Sequence, residues 1–182
     1  MEFSLLYAIP RSEFLDSFFL ALTKVAGSYG QLWIYIGILL LLFKKTRRTG
    51  AAVLISYAAV YLVGQLFLKN LLSRPRPCQI DQTFALLVSP PPSFSFPSTH
   101  SGVSFAAAAC IFLNHKKAGP AAYVLAALIA FSRMYLFLHF PTDVLAGVLL
   151  GTLMGILSVR ICRNVFNRFL PGSGNKTKLN LW

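Results

Sequence analysis

Residues 131–147 read FSRMYLFLHFPTDVLAG and set one arginine, one histidine and one aspartate inside an otherwise apolar, membrane-like run. Only five acidic residues occur in the protein, and Asp143 is the only one after Asp81. A carboxylate in such surroundings is costly unless a partner or water holds it. His139, four residues earlier, is the obvious partner. A histidine oriented by a carboxylate, with Arg133 near enough to receive an anion, is the raw material for nucleophilic or acid–base chemistry on a phosphate. The competing reading of these residues is a structural ion cluster that locks helices together.

Around this stretch the chain has the composition of a small membrane protein. At 182 residues, 56% hydrophobic and 12% charged, with a mean hydropathy of +0.65, it reads as a single all-α integral membrane domain, 1–182. A net charge of +12 would suit nucleic acid. The basic residues, however, fall in short runs between apolar segments, as the positive-inside rule arranges them, so a nucleic-acid partner is rejected. Cys78, Cys110 and Cys162 lie in a loop, inside an apolar segment and at the end of another, and suggest neither a disulfide framework nor a CxxC metal motif.

Taken in order, residues 1–29 form an amphipathic N-terminal helix. Phe14, Leu15, Phe18, Phe19, Leu22 and Val25 recur at helical spacing, with Glu13, Asp16, Ser17 and Lys24 largely on the other side. Such a helix lies at the membrane interface, with a short extra span as the alternative. It does not read as a signal peptide, because acids precede the apolar run and no basic n-region exists. The transmembrane core, 30–162, then offers apolar segments at residues 31–43, 50–72, 98–113, 118–136 and 142–162, giving a bundle of five to six transmembrane helices. Between the second and third lies a proline-rich loop that cannot be continuous helix. Lys44, Lys45, Arg47 and Arg48, then His115, Lys116 and Lys117, then the basic tail 163–182, all fall on one face, read as cytoplasmic. Asn175-Lys176-Thr177 fits a glycosylation sequon but lies on that same face and reads as chance.

This alternation brings Lys69, Arg74, Arg76, Ser98, His100, Arg133, His139 and Asp143 to the opposite, non-cytoplasmic ends of the helices, although they are spread over some seventy residues. These residues carry a resemblance. Residues 69–77, KNLLSRPRP, fit KxxxxxxRP; residues 97–100, PSTH, match PSGH but for one position; residues 132–143, SRMYLFLHFPTD, fit SRxxxxxHxxxD. Three motifs in this order resemble the type 2 phosphatidic acid phosphatase (PAP2) superfamily, which also contains the vanadium haloperoxidases. The resemblance spans the catalytic core and leaves out the N-terminal helix and the tail.

Residue by residue, the resemblance implies that His139 is the nucleophile and forms a phosphohistidine, that Asp143 fixes its tautomer, and that His100 is the general acid and later the base. It implies phosphate binding by Lys69, Arg76 and Arg133, with the Ser98 hydroxyl and the N–H groups of Ser98 and Thr99. Physical reasoning runs the same way: phosphoryl transfer needs fixed cations and donors around the equatorial oxygens, arginine offers a planar fork for them, and Ser98 opens an apolar segment whose first N–H groups suit an anion. Alternative roles stand beside these. Lys69 and Arg76 could anchor to lipid headgroups, Arg74 could contact either the phosphate or a headgroup, and Ser98 could be only a helix cap. Thr99 replaces the family glycine and brings a β-branched side chain close to the phosphate site. Gly147, Gly151 and Gly155 form a GxxxG repeat, read as helix packing within the bundle, with a homodimer as the minor reading.

The resemblance further suggests a lipid phosphate substrate at the outer surface of a bacterial-type plasma membrane. Undecaprenyl diphosphate comes first, with phosphatidylglycerophosphate or phosphatidic acid as runner-up. The other class is a non-catalytic protein that binds or moves a lipid phosphate. No cofactor and no metal is expected, because the outer face offers few carboxylates and histidines and His139 and Asp143 are committed to each other. Residues 84–88, FALLV, either dip into the bilayer or pack on the bundle.

Overall fold

The computed structural model describes residues 2–169, and among these every regular element is a helix. The elements are α1 (Glu2–Tyr7), α2 (Glu13–Ala26), α3 (Leu32–Leu42), α4 (Arg47–Val60), a π-helical segment (Tyr61–Leu68), α5 (Lys69–Leu72), α6 (Pro77–Ile80), α7 (Thr99–Asn114), α8 (Gly119–Tyr135) and α9 (Pro141–Phe169). Local chemistry sets most of the ends. Ser12 caps α2 by accepting from the Leu15 N–H at 3.3 Å, and Gly27 ends it at φ +76°. The long run from α4 to α5 stops at Ser73, in the left-handed region at φ 44°, just before Pro75 and Pro77. Proline opens α6, α8 and α9, where no N–H is required.

At the centre stands α7, an alanine-rich helix buried over most of its length and packed against α4, α8 and α9. The glycine repeat of α9 explains how closely α9 approaches it. A Cβ on Gly151 would lie 2.0 Å from the Gly102 carbonyl, one on Gly147 2.5 Å from the Ser98 carbonyl, and one on Gly155 2.6 Å from the Ala106 carbonyl. The GxxxG face is therefore occupied within the bundle, in keeping with the packing reading. On the opposite side of α9, Leu145, Leu149, Leu153, Leu157 and Ile161 are exposed at four-residue intervals, a stripe suited to lipid.

The described members of the three basic clusters gather at one end. His115 on the end of α7 meets the Thr49 hydroxyl at 2.9 Å, Arg163 donates to the Leu113 carbonyl at 3.0 Å, and Arg48 lies over the Phe166 ring. Two runs, Arg47–Ile80 and Pro141–Phe166, are long and apolar enough to cross a membrane, and Leu32–Leu42 is a shorter apolar helix. With 16 and 17 residues, α7 and α8 reach only about 25 Å at 1.5 Å per residue, short of a full hydrocarbon core. Lys176, Lys178 and the Asn175 sequon lie outside the described residues.

The N-terminal region differs from the single amphipathic helix expected over residues 1–29. The segment around Pro10 divides it into α1 and α2. The outward side of α2 carries Phe14, Phe18 and Val25, all exposed, while Asp16 accepts from the Tyr135 hydroxyl at 2.5 Å. Polar groups turn inward here because a buried tyrosine and a buried arginine on α8 need partners. Residues 84–88 pack on the bundle: Phe84 stacks on Phe137 at 3.9 Å, and Leu86, Leu87 and Val88 join the same apolar cluster.

Replacing Gly151 by leucine would force α7 and α9 apart. We expect Gly151→Leu to lower the thermal unfolding midpoint in detergent by the equivalent of about 3 kcal/mol, at the upper end of overpacking costs. Leu149→Ala, on the lipid-facing stripe, should change it little. Equal midpoints for Gly151→Leu and the parent would contradict the close approach.

Candidate active site

The turn from α8 to α9 builds the centre of the site. Phe137 adopts φ +59°, and the N–H groups of Leu138 and His139 return to the Arg133 carbonyl at 3.1 and 3.3 Å. His139 is thereby held directly beneath the end of α8. Proline at 141 then opens α9 with Asp143 in its first turn, where the carboxylate accepts from the Phe140 N–H at 2.8 Å. Asp143 is fully buried and His139 is 2% exposed, so every polar atom on them needs a protein partner or a substrate.

Between them stands a residue that the sequence did not single out. Ser95 donates its hydroxyl hydrogen to Asp143 Oδ2 at 2.5 Å and lies 3.4 Å from His139 Nδ1. The direct separation of His139 Nδ1 from Asp143 Oδ2 is 3.6 Å, beyond a good hydrogen bond. The pairing expected of these two residues is thus bridged by Ser95. On the other side of the ring, Arg76 Nη1 approaches His139 Nε2 at 3.1 Å. A guanidinium only donates, so Nε2 carries the lone pair and Nδ1 the hydrogen. Nε2 is the nucleophilic atom of that tautomer.

The cations are held by neutral oxygens. Arg76 donates to the carbonyls of Ser93 (2.8 Å), Phe94 (3.2 Å) and Leu138 (2.9 Å), and Lys69 Nζ donates to the same Phe94 carbonyl at 2.7 Å. Arg133 donates through Nε and Nη2 to the Ser132 hydroxyl and through Nη2 to the Thr23 hydroxyl at 2.5 Å. Lys69, Arg76 and Arg133 are each 2% exposed, which excludes the headgroup-anchor reading of Lys69 and Arg76.

Arg74 is held by acidic and hydroxyl partners beside His139 and Asp143. It pairs with Asp143 Oδ1 at 2.6 Å, with Thr142 at 2.7 Å and with Glu2 at 2.5 Å, and its guanidinium covers the Phe140 ring at 4.3 Å. A buried carboxylate at this position takes the nearest arginine as its counter-ion. Partial burial tends to raise the Glu2 carboxyl, yet hydrogen bonds from Thr142 and Arg74 hold it below the ordinary glutamate range. The Glu2 contact is therefore fully present above that range and is lost only as pH falls through the lowered value.

At the start of α7 the Ser98 hydroxyl accepts from the Ser101 hydroxyl at 2.9 Å and caps the helix, leaving its own hydrogen free to donate. The Ser98 N–H is spent on the Asp143 carbonyl at 3.0 Å, a correction to its expected part in anion binding. That bond joins α7 to α9, and the N–H groups of Thr99 and His100 are left as the free donors of the first turn. Thr99 turns its hydroxyl to Gln65 Oε1 at 2.7 Å. Gln65 lies in the π-helical segment, whose altered pitch accompanies many functional sites.

His100 is fixed from outside the expected core. Its Nε2 lies 2.8 Å from the Gly27 carbonyl, which can only accept, so Nε2 bears hydrogen and Nδ1 is left to exchange a proton with a ligand. His100 and Arg133 line a pocket of about 490 Å³ whose other walls are residues 23–29 and the proline-rich loop. A backbone carbonyl and a lone threonine leave no sequence signal, and nothing marked Ser95 among the serines of its loop.

Residues 49–166 match the PAP2 superfamily. The chain belongs to that superfamily. An undecaprenyl-diphosphatase of Sulfolobus acidocaldarius is 32% identical over 81% of this chain and 70% of that protein. A decaprenylphosphoryl-5-phosphoribose phosphatase of Mycobacterium tuberculosis is 31% identical over 69% of this chain and 68% of its own. Among solved structures, Aquifex aeolicus LpxE superposes with a TM-score of 0.75 at 26% identity, covering 87% of this chain and 94% of that one. A transmembrane PAP2-type phosphatidylglycerolphosphate phosphatase from Bacillus subtilis gives 0.66 at 30% identity, covering 87% and 81%. This PAP2 protein is accordingly a membrane-type lipid phosphatase.

Ser95→Ala should retain the fold and lower kcat by roughly ten- to a hundredfold at near-constant KM, the loss expected when a hydrogen bond to a charged group disappears from the reacting unit. Steady-state phosphate release measures it. An unchanged kcat would remove Ser95 from the mechanism.

Proposed function

We propose that this PAP2 phosphatase converts a lipid diphosphate, in the first place undecaprenyl diphosphate, to the monophosphate through a phosphohistidine on His139. The reading rests above all on one observation: His139 Nε2 keeps its lone pair beside Arg76 while Nδ1 faces Ser95 and Asp143. In the first half, Nε2 attacks phosphorus and the bond to the leaving oxygen breaks. The bonding electrons go to that oxygen, which takes a proton from His100. In the second half His100 removes a proton from water, the water oxygen attacks phosphorus, and the P–N bond returns its electrons to His139. Lys69, Arg76, Arg133, the Ser98 hydroxyl and the N–H groups of Thr99 and His100 hold the equatorial oxygens throughout.

The chemistry as proposed needs no metal. Among the described residues no three His, Cys, Asp or Glu side chains converge, and Asp143 already accepts from Ser95, Arg74 and Phe140. The fixed cations supply the charge that metal ions supply in other phosphatases. We further propose one domain with five or six crossings, and the catalytic end on the non-cytoplasmic side of a bacterial-type plasma membrane. The gathering of the basic clusters at the other end supports this orientation. The relative named for undecaprenyl diphosphate supports the choice of substrate. Phosphatidylglycerophosphate is the second reading, favoured by the Bacillus subtilis structure, with phosphatidic acid beside it. Lipid phosphates assayed side by side for phosphate release decide among them.

Three outcomes are expected. Phosphoenzyme should be absent from His139→Ala and should accumulate in His100→Ala with a good leaving group; undiminished labelling of His139→Ala would show another nucleophile. Activity of detergent-solubilised protein should persist in excess EDTA and fall with orthovanadate, which adopts the five-coordinate geometry of the transferring group. Loss in EDTA that magnesium restores would defeat the mechanism. In intact cells, with Cys78 replaced, a cysteine at Gln82 should react with an impermeant thiol reagent and one at Thr46 should not; the reverse pattern would turn the site to the cytoplasm.

A further inference from the structure

Residues 2–29 lie outside the family match, which begins at residue 49, yet they are bonded to the site at several points. The Gly27 carbonyl holds His100 and the Thr23 hydroxyl holds Arg133. Glu2 holds Arg74, which in turn pairs with Asp143. The last turn of α2 and the residues after it also form one wall of the pocket that His100 and Arg133 line. In that wall stands Lys24, an exposed residue of the same pocket.

Lys24 has no carboxylate within salt-bridge distance among the described residues, and no acidic side chain lines the pocket. The acids are engaged or distant. Asp143, Glu2 and Asp16 are tied to Arg74, Thr142 and Tyr135, Asp81 accepts from Tyr7 and Thr83, and Glu13 is eleven residues down α2, about 16 Å away along the axis. The wall opposite, from the proline-rich loop, contributes Val88, Ser89, Pro91 and Pro92 and no charge. The pocket is thus lined by two basic side chains, Lys24 and Arg133, with His100.

His100 fixes which part of a substrate this pocket receives. His139, Arg76 and Lys69 are buried and do not line it, whereas the proton donor to the leaving oxygen does. The pocket is therefore the leaving-group side. If the substrate were a lipid monophosphate, the leaving group would be a neutral alcohol, with nothing for an uncompensated ammonium to bind. If it is a diphosphate, the leaving group is a lipid monophosphate that gains negative charge as the P–O bond breaks.

We propose that Lys24 is the residue that reads the second phosphate of a lipid diphosphate, binding the phosphate that departs while His139, Arg76, Lys69 and Arg133 handle the one that is transferred. The assignment rests on the lipid-diphosphate reading above. An ammonium at this position stabilises charge that develops in the transition state, so its effect falls on kcat/KM for diphosphates and not on monophosphates. Lys24 also lies in the last turn of α2, where a cation complements the helix carbonyls. That role is structural and would affect all substrates alike.

The test compares a short-chain prenyl diphosphate with the matching prenyl monophosphate, which share a hydrocarbon chain and differ only in the group that leaves. Phosphate release is measured for the parent, Lys24→Met, Lys24→Gln and Lys24→Arg. We expect both neutral variants to lose roughly tenfold or more in kcat/KM on the diphosphate, the scale of a charge-assisted hydrogen bond. They should stay within about twofold on the monophosphate, and Lys24→Arg should restore most of the diphosphate rate. Equal losses on both substrates, or no loss on either, would overturn the assignment. A parent protein that hydrolyses the monophosphate and leaves the diphosphate untouched would instead overturn the diphosphate reading itself, before any variant is compared. The monophosphate rate serves as the folding control within each variant.

Discussion

A single carboxylate, that of Asp143, is buried completely at the end of a helix bundle, and much of the surrounding structure follows from the need to give its oxygens partners there. An isolated carboxylate in such a place would be stripped of water with no hydrogen bonds in return. Three groups prevent that: the Ser95 hydroxyl from the loop before α7, the Phe140 N–H from its own first turn, and Arg74 from the end of the second long helix. Each partner comes from a different part of the chain. The carboxylate therefore draws the loop, α9 and the segment after α5 to one point, and the same point orients His139.

Close helix packing is what makes this convergence possible. Because Gly147, Gly151 and Gly155 let α9 lie against the backbone of α7, the first turns of both helices come level, and the Ser98 N–H can reach the Asp143 carbonyl. The free N–H groups of α7 then open beside the histidine that α9 supports. Bulk on α9 would separate the first turn of α7 from the turn that supports His139, the proposed nucleophile, without touching either side chain. Thr99 fits this arrangement because its side chain is taken up by Gln65, which leaves its N–H available.

Much of this was legible in the sequence, for identifiable reasons. The apolar segments are separated by basic runs or prolines, so helix positions and the sorting of charge to one end could be read directly, and the three motifs named the side chains that converge. What escaped was the chemistry that leaves no pattern. Ser95 is one serine in a loop of several, and Gly27 acts through its backbone. Arg74 was left between two roles because its partner, Glu2, lies 72 residues away. The reading of residues 1–29 as one amphipathic helix missed the break around Pro10 and the inward contacts of Asp16 and Thr23, while Leu15, Phe19 and Leu22 of its apolar face do pack on the bundle. Hydrophobic periodicity assumes that polar residues seek water, whereas in a lipid setting a helix can also turn polar residues inward among its apolar ones. Asp16 and Thr23 turn toward Tyr135 and Arg133 for that reason.

The way the cations are held explains how a buried site can remain ready for an anion. Lys69, Arg76 and Arg133 share one buried region with one carboxylate, and that carboxylate is already paired with Arg74. Had each cation been given its own aspartate, the site would be stable and electrically silent, since a phosphate would have to displace a full negative charge to enter. Instead their donors go to the carbonyls of Ser93, Phe94 and Leu138 and to the hydroxyls of Ser132 and Thr23. These dipoles meet the hydrogen-bonding needs of the buried groups and hold them in place without neutralising them. In the proposed reaction the positive charge is fixed in geometry before substrate arrives, so little reorganisation would be required when phosphoryl oxygens replace weaker acceptors. The role proposed for Lys24 extends the same logic: among the described residues no carboxylate pairs with it, and it lines the pocket on the side from which a charged leaving group would depart.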